Sequence, residues 1–217
     1  ASTLFMLSNF VLNIVSINND DFFFLNIGRY ILKNLSFPTV DHFTLLGQYH
    51  QLSMTNSSWL YSIFLQFGYS LTGSWLFLQL STILASFIIS LLLGLIVKTK
   101  TKSKTFPAVI ISLWGIMSTL NLSFFLQIRP QTFAIIFLLL IIYFFETKKN
   151  IWFVPPFMLI AMNIHVGLWP IFILVVAFYT WKNKQYKIFG LSALTTLLTP
   201  NNIQGILSPF KFMKYKG

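Results

Sequence analysis

The chain lacks cysteine and carries very few acidic residues. Its 217 residues include no Cys and only four Asp or Glu. Without cysteine, disulfide bonds and thiol chemistry are excluded. Charged residues make up 9% of the chain, whereas a typical soluble domain has about 25%. So low a charge content argues against a water-soluble fold.

Apolar residues take the place of the missing charges. The chain is 56% hydrophobic, contains 25 Phe and has a mean hydropathy of +0.74. A soluble fold of this length could not bury so much apolar surface. We therefore predict an integral membrane protein.

The net charge of +11 would suggest nucleic-acid binding in a soluble protein. Here the lysines cluster in short gaps between apolar runs, at 98–104, 148–149 and 182–187. That distribution is typical of cytoplasmic loops under the positive-inside rule. Nothing resembles a base-stacking platform or a groove-reading helix, so no nucleic-acid partner is expected.

The apolar runs predict an all-α fold, a polytopic transmembrane bundle of about seven segments in one domain over residues 1–217. Residues 3–17 form the first span, 18–73 a long outer loop with interfacial amphipathic helices, and 200–217 an outer or interfacial tail. Within 74–199, the remaining spans are predicted at 74–97, 106–128, 132–145, 151–163, 168–181 and 188–199. In the loop, short helices are expected at 27–35, ending before Pro38, and around Trp59–Phe67.

The later segments are short for a membrane crossing. Spans of 12–15 residues rise only about 18–22 Å, against a hydrocarbon core of roughly 30 Å. Starting from cytoplasmic lysines, their outer ends should be recessed, and irregular backbone at that depth requires a cavity or surrounding protein. The sequence thus predicts an outward-facing cavity with Arg129, His165 and Asn201 at its base.

Three of the four acidic residues, Asp20, Asp21 and Asp41, fall in the predicted outer loop. Each alone has an ordinary structural explanation, because Asp20 and Asp21 suit a solvated helix end and Asp41 a turn or helix cap. Together they indicate a polar site. A carboxylate there could accept a proton from an acceptor hydroxyl or, with Asp20 and Asp41 as candidates, bind a divalent cation.

The basic and amide candidates lie at segment ends. Arg129 is either an interfacial side chain or a phosphate clamp. His165 is either a hydrogen-bonded core residue or, with Asn163 nearby, part of the cavity lining. Arg29, with Lys33 four residues later, is either a solvated basic face or a contact to lipid phosphate or to the acids. No zinc motif, phosphate-binding glycine loop or serine-hydrolase elbow occurs.

Four motifs in order resemble a known family. The pattern D-x7-G-x9-P-x2-D-x-F-[ST] occurs as Asp20, Gly28, Pro38, Asp41, Phe43 and Thr44, and is followed by RPQTF (129–133), NIHVGLWP (163–170) and TPNNIQG (199–205). They resemble landmarks of bacterial GT-C glycosyltransferases, relatives of the dolichyl-phosphate-mannose protein mannosyltransferases. Members of that family are longer, so the chain is expected to be the N-terminal membrane part of such a protein.

The resemblance implies an inverting enzyme of the bacterial cell membrane, with its active site facing the extracytoplasmic side. The donor would be a polyprenyl-phosphate-linked sugar, and the acceptor a protein, lipid or glycan. By spacing to Gly28, Asp20 would be the catalytic base or a ligand of Mg²⁺ or Mn²⁺, with Asp21 as the fallback. Asp41 would shape the acceptor side, while Arg129 and His165 would face the donor phosphate.

Two other functions stay open. The length and the outward cavity also suit the substrate-binding membrane subunit of a small-molecule transporter, which would bind a soluble ligand without breaking a bond. A base beside a lipid-accessible cavity is the feature that an importer does not need. A non-catalytic assembly subunit is the third alternative.

Overall fold

The first described helix, α1, spans Asn19–Asn34 in a computed structural model that describes residues 19–50, 54, 56–101, 105, 109 and 129–200. Asp20 and Asp21 occupy its first turn, where carboxylates interact favourably with the positive end of the helix dipole. The sequence predicted a helix only from Ile27. The acidic pair is therefore part of the helix itself and has a fixed rotation around its axis.

Some sequence predictions fall elsewhere. The first span at 3–17, nearly all of the span at 106–128, Asn201 and the tail after residue 200 lie outside the described residues.

The described residues form eight α-helices and no strands, which confirms the all-α prediction at that level. After α1 come α2, Leu45–His50; α3, Trp59–Thr72; α4, Leu76–Thr101; α5, Pro130–Thr147; α6, Val154–Ile164; α7, Trp169–Lys182; and α8, Tyr186–Thr195. Single 3₁₀ turns, Ile151–Phe153 and Val166–Leu168, precede α6 and α7. Each predicted segment within the described ranges overlaps a helix.

Two described helices, α4 and α5, are long and apolar enough to cross a membrane, with 26 and 18 residues. The apolar segments Ile151–Ile164 and Val166–Lys182 are shorter. By length and composition, the described part of the chain thus contains two membrane-span candidates.

Helices α1 and α3 approach each other closely at Gly28. A Cβ added there would overlap the backbone carbonyl of Ser62 and lie 2.9 Å from the Cβ of Gln66. The absence of a side chain therefore permits the contact. On the α1 face that carries Gly28, Leu25 and Ile31 are also buried.

The largest apolar core lies among α3, α5, α6 and α7. Its fully buried members are mostly branched or aromatic, and include Leu65, Ile141, Met158, Phe172 and Val176. Burying such side chains stabilises a fold by about 1.5–3 kcal/mol each in water. The core holds the beginnings of α3 and α5 near the end of α6.

The two ends of α5 carry different charges. Arg129 directly precedes the helix, whereas Glu146 lies in its last turn. Lys100 of α4 forms an ion pair with Glu146 at 2.6 Å, and the Tyr179 hydroxyl of α7 donates a hydrogen bond to the same carboxylate. This contact joins three helices at the lysine-rich end of the bundle.

Replacement of Gly28 by Ala tests the helix contact. We expect Gly28→Ala to lower the free energy of unfolding by about 1–3 kcal/mol, as overpacking of a tight contact does. Gly190→Ala is the matched control, because nothing lies within 4 Å of a Cβ at that exposed position of α8. It should raise stability by roughly 0.5–1 kcal/mol through helix propensity. Denaturant unfolding of the detergent-solubilised protein measures both, and equal effects would contradict the close approach.

Candidate functional site

The two adjacent acids of α1 have opposite environments. Asp21 is 0% exposed, while Asp20 is exposed to solvent. Asp21 shares a helix face with Leu25 and Gly28, at spacings of four and seven residues, and this is the face that packs against α3. The rotation of α1 that places Gly28 against Ser62 therefore also takes the Asp21 carboxylate out of solvent.

Tyr61 of α3 lies within the electrostatic reach of this carboxylate. The residue is 1% exposed, and its ring packs edge-on against Phe24 at 5.4 Å and obliquely against Phe133 at 5.5 Å between centroids. Burial raises the pKa of Tyr61 well above its usual value, the negative charge of Asp21 raises it further, and the positive charge of Arg129 lowers it. The fields of both charges thus reach the same phenol.

We call Asp21, Tyr61 and Arg129 the Tyr61 cluster. It combines a buried carboxylate, a neutral phenol and a guanidinium. Within the part of the chain that the structure describes, the Tyr61 hydroxyl has no hydrogen-bond partner. An unsatisfied buried hydroxyl costs about 1–3 kcal/mol.

Arg129 is held by the start of α5. Its backbone is extended, with φ −135° and ψ 145°, and Pro130 occupies the first helical position. Proline suits this position because the amide that it lacks would have no intrahelical acceptor. The Arg129 carbonyl accepts a hydrogen bond from Thr132 N at 3.2 Å. The RPQT sequence thereby sets the backbone of Arg129 at the helix end.

His165 belongs to a second polar group. Its Nδ1 lies 3.1 Å from Ser58 Oγ, and Trp59 Nε1 donates to Asn163 Oδ1 at 2.5 Å. Val166 N donates to the Ser57 carbonyl at 3.0 Å. We call these contacts the His165 clamp. It joins the start of α3 to the end of α6, one helical turn from Tyr61.

Both polar atoms of the Asn163 side chain make hydrogen bonds. Besides accepting from Trp59, its side-chain nitrogen donates to the carbonyls of Leu159 at 2.8 Å and Leu198 at 3.3 Å. The residue is buried. Its amide therefore connects α3, α6 and the segment after α8.

His165 is neutral at pH 7, because burial lowers its pKa to about 4. Gly167 leaves room for the ring, since a Cβ there would lie 2.9 Å from His165 Nε2. Any contact of His165 with a donor phosphate would thus be a hydrogen bond and not a charge pair.

Asp41 serves the loop before α2. Its carboxylate accepts hydrogen bonds from Phe43 N at 2.8 Å, Thr44 N at 3.1 Å and Thr44 Oγ1 at 2.6 Å. Thr44 Oγ1 in turn accepts from Gly47 N at 3.0 Å and caps α2. Partial burial would raise the pKa of Asp41, but these hydrogen bonds together have the larger effect and lower it. The D-x-F-[ST] spacing is thus explained by local turn geometry.

The remaining candidates do not converge. Arg29 lies on the exposed side of α1. No group of three or more His, Asp or Glu side chains suited to a metal gathers in the described residues. Asp20 faces solvent, and Asp41 is occupied by its own loop. The described residues therefore do not fit a Mg²⁺ or Mn²⁺ site built on that pair.

An apolar cavity of about 440 Å³ adjoins the Tyr61 cluster. It is lined by the Tyr61 ring and by apolar side chains of α3, α5 and α6, namely Leu60, Ile63, Phe64, Phe67, Phe133, Ile136, Phe137 and Ile164. Phe133 lies one turn after Arg129 on α5. Of the Tyr61 cluster, only the Tyr61 ring is part of this lining.

Sequence reasoning missed Tyr61 and Ser58, and it did not assign Trp59 a polar contact. It placed Trp59 on one helix face with Ile63, Phe64 and Phe67, and the last three line the cavity. The opposite face buries Tyr61 with Ser62, Leu65 and Gly68. The small residues at 62 and 68 were the available signal, because they permit close packing of helices.

The burial of His165 predicts loss of stability in acid. The unfolded chain takes up this proton near pH 6.5 and the folded chain only near pH 4, so the unfolded state binds more protons between these values. The stability that neutral His165 contributes is complete above pH 6.5 and declines by about 3 kcal/mol toward pH 4. Across this range, the free energy of unfolding should therefore fall by that much more in the wild type than in His165→Gln.

His50→Gln, at the exposed end of α2, is the control for this titration and should behave as the wild type. Carboxylates titrate in all three proteins, so the test compares how far the free energy of unfolding of each protein falls over the same pH range. Equal acid sensitivity of His165→Gln and the wild type would contradict the assignment.

Comparisons of the chain with protein-family models, with curated proteins and with solved structures found no match. The resemblance to GT-C glycosyltransferases thus rests on its motifs. What the chain does must be inferred from the Tyr61 cluster, the His165 clamp and the cavity beside them.

Proposed function

We propose that the chain is an integral membrane glycosyltransferase of the GT-C kind, which transfers a sugar from a polyprenyl-phosphate donor to an extracytoplasmic acceptor. The observation that carries the proposal is that Tyr61, whose ring lines an apolar cavity, lies within the electrostatic reach of a buried carboxylate and of a guanidinium. A lipid-linked sugar has matching parts, with a hydrocarbon tail, an anionic phosphate and a sugar.

The cavity accounts for the tail. Its walls are aliphatic and aromatic side chains such as Ile63, Phe67 and Phe137, which suit hydrocarbon and offer a polar ligand almost nothing. In the proposal, Arg129, one turn from Phe133, binds the phosphate at the mouth of the cavity. A guanidinium is always charged and matches phosphate oxygens in geometry.

Asp21 accounts for the acceptor. Of the two adjacent acids, Asp21 is buried and Asp20 is solvated. Asp21 also acts electrostatically on the same phenol as Arg129. In the proposed step, the acceptor oxygen attacks the anomeric carbon and gives its proton to Asp21. The bond from that carbon to the phosphate oxygen breaks, and polyprenyl phosphate leaves with its charge stabilised by Arg129. The acceptor is a hydroxyl of a protein, lipid or glycan.

The proposed topology is a seven-span bundle with these groups on the outer side. The described lysines beyond the apolar parts of α4, α5 and α7 lie at the Glu146 end, with Lys100 bonded to that carboxylate. Arg129 is at the other end of α5, about 25 Å away at 1.5 Å per residue. Under the positive-inside rule the Tyr61 cluster would then lie on the outer side, and the membrane proposed is that of a bacterial cell.

A transporter subunit for a small soluble ligand is the second candidate. Such a ligand needs polar groups on the walls of its site. The 440 Å³ cavity is lined almost entirely by hydrocarbon, so we favour the lipid-linked donor.

The absence of cysteine makes the topology directly testable. Lys33→Cys, on α1, and Lys149→Cys, after α5, are both exposed positions. In sealed bacterial cells, a membrane-impermeant maleimide should label Lys33→Cys, and Lys149→Cys only after permeabilisation. Labelling of both from the same side would contradict the proposed orientation.

The adjacent acids provide a matched pair for the activity. In proteoliposomes supplied with radiolabelled polyprenyl-phosphate sugars, the wild type should release polyprenyl phosphate in the presence of acceptor. Asp21→Asn should reduce the rate at least about 100-fold, the lower range for a general base. Asp20→Asn should stay within about threefold, since its side chain is solvated.

The two variants also separate the possible failures. Loss of turnover in Asp20→Asn, with Asp21→Asn active, would assign the base to Asp20 and contradict our choice of Asp21. No release from any donor by folded wild-type protein would count against the enzyme as proposed.

A further inference from the structure

The phenol of Tyr61 has no role in the chemistry described so far. The side chain is 1% exposed, and its hydroxyl has no hydrogen-bond partner among the described residues. Its ring forms part of the cavity wall. A phenylalanine would supply the same ring contacts to Phe24 and Phe133 without the cost of an unsatisfied hydroxyl. An unsatisfied buried donor beside a cavity is a feature to be explained by a ligand.

The charges of the cluster show which ligand group needs this hydroxyl. Arg129 attracts an anion, but the Asp21 carboxylate in the same neighbourhood repels it. The opposite charges offset each other at a distance, so recognition of a phosphate cannot depend on net charge alone. A neutral hydrogen-bond donor adds attraction without adding charge.

The phenol remains such a donor over the whole physiological range. Burial raises the pKa of Tyr61 well above its usual value, and Asp21 raises it further. The hydroxyl therefore keeps its proton, and hydrogen bonds to a charged acceptor are the stronger kind.

We infer that Tyr61 is a specificity-determining residue, whose hydroxyl donates a hydrogen bond to a phosphate oxygen of an isoprenoid phosphate with its tail in the cavity. The inference rests on the proposed function, because it assumes that the cavity holds a lipid tail and that Arg129 binds the phosphate. It adds that the site distinguishes the phosphate from the corresponding alcohol through Tyr61.

The position of the ring supports this role. Tyr61 touches Phe133, which is one turn from Arg129 on α5, and Ile63 to Phe67 continue the cavity wall along α3. A ligand with its tail along that wall would have its head group near the part of the wall that Tyr61 and Phe133 form. The Tyr61 ring belongs to the wall, and its hydroxyl is buried behind it.

Binding of farnesyl phosphate and of farnesol to the full chain in lipid nanodiscs tests the inference. Tyr61→Phe removes one oxygen atom and keeps the ring. We expect it to weaken farnesyl phosphate binding about tenfold or more, as for a lost hydrogen bond to a charged group, with farnesol binding unchanged. Its thermal unfolding temperature should equal or exceed that of the wild type, since no folded-state hydrogen bond is lost.

Tyr69→Phe is the matched control. Tyr69 lies two turns further along α3, where its ring packs on Trp75 at 5.4 Å. This variant should bind both ligands as the wild type does. A parallel loss in Tyr69→Phe would show that the effect is not specific to the Tyr61 hydroxyl and would overturn the inference.

The remaining outcomes are distinguishable. Preference of the wild type for farnesyl phosphate over farnesol, retained by folded Tyr61→Phe, would overturn the role of Tyr61 and leave the proposed function standing. Absence of that preference in the wild type would overturn the lipid-phosphate site, and with it both proposals. Reduced stability of Tyr61→Phe without ligand would show that the hydroxyl has a structural partner, and would also overturn the inference.

Discussion

The close contact between α1 and α3 at Gly28 determines the arrangement of the candidate site. Because a Cβ at Gly28 would overlap the Ser62 carbonyl, the two helices can meet only with this residue at their interface. That fixes the rotation of α1, and Asp21, seven residues earlier on the same face, becomes buried. Asp20 is turned by about 100° around the axis and reaches solvent. One helix contact thus gives two chemically identical neighbouring residues different environments, one buried and one in solvent.

Burial of a carboxylate is costly unless other groups compensate, and removal of a partner from such an arrangement usually destabilises the protein by several kcal/mol. In this chain the other members of the Tyr61 cluster come from elements distant in sequence. Arg129 stands at the start of α5 and Tyr61 near the start of α3. The helix start sets the backbone at Arg129, and packing against Phe24 and Phe133 holds the ring of Tyr61. Groups that are preorganised need little rearrangement when charge develops in a reaction, which is why they are effective in catalysis.

Much of this arrangement is predictable from the sequence. The gathering of acids in one stretch and of lysines in others indicates which residues share an end of the bundle, because charges avoid the apolar interior. The helical segments also follow from apolar runs bounded by polar gaps. Pro130 after Arg129 is a helix-start signal, and α5 begins there, two residues before the predicted span at 132–145.

The sequence does not determine which neighbours pair. It could not show that α1 begins at Asn19, since the stretch DDFFFL has no distinct break, and the spacing to Gly28 therefore favoured Asp20. It also could not show that Ser58 and Trp59 would bind His165 and Asn163, more than 100 residues away. Such contacts depend on the rotation of one helix against another, which a few apolar substitutions could change without altering hydrophobic periodicity.

The surroundings of helix α3 change steadily from its start towards its end. At its start, Ser58 and Trp59 make the His165 clamp, which involves hydrogen bonds between polar side chains. One turn later, Tyr61 is neighbour to the charged groups of the cluster. From Ile63 to Phe67 only hydrocarbon faces the cavity. The helix therefore passes from polar to apolar surroundings within about two and a half turns, or roughly 13 Å. A lipid-linked sugar changes in the same order from its sugar through its phosphate to its tail, so a single rigid element can align all three parts of such a donor.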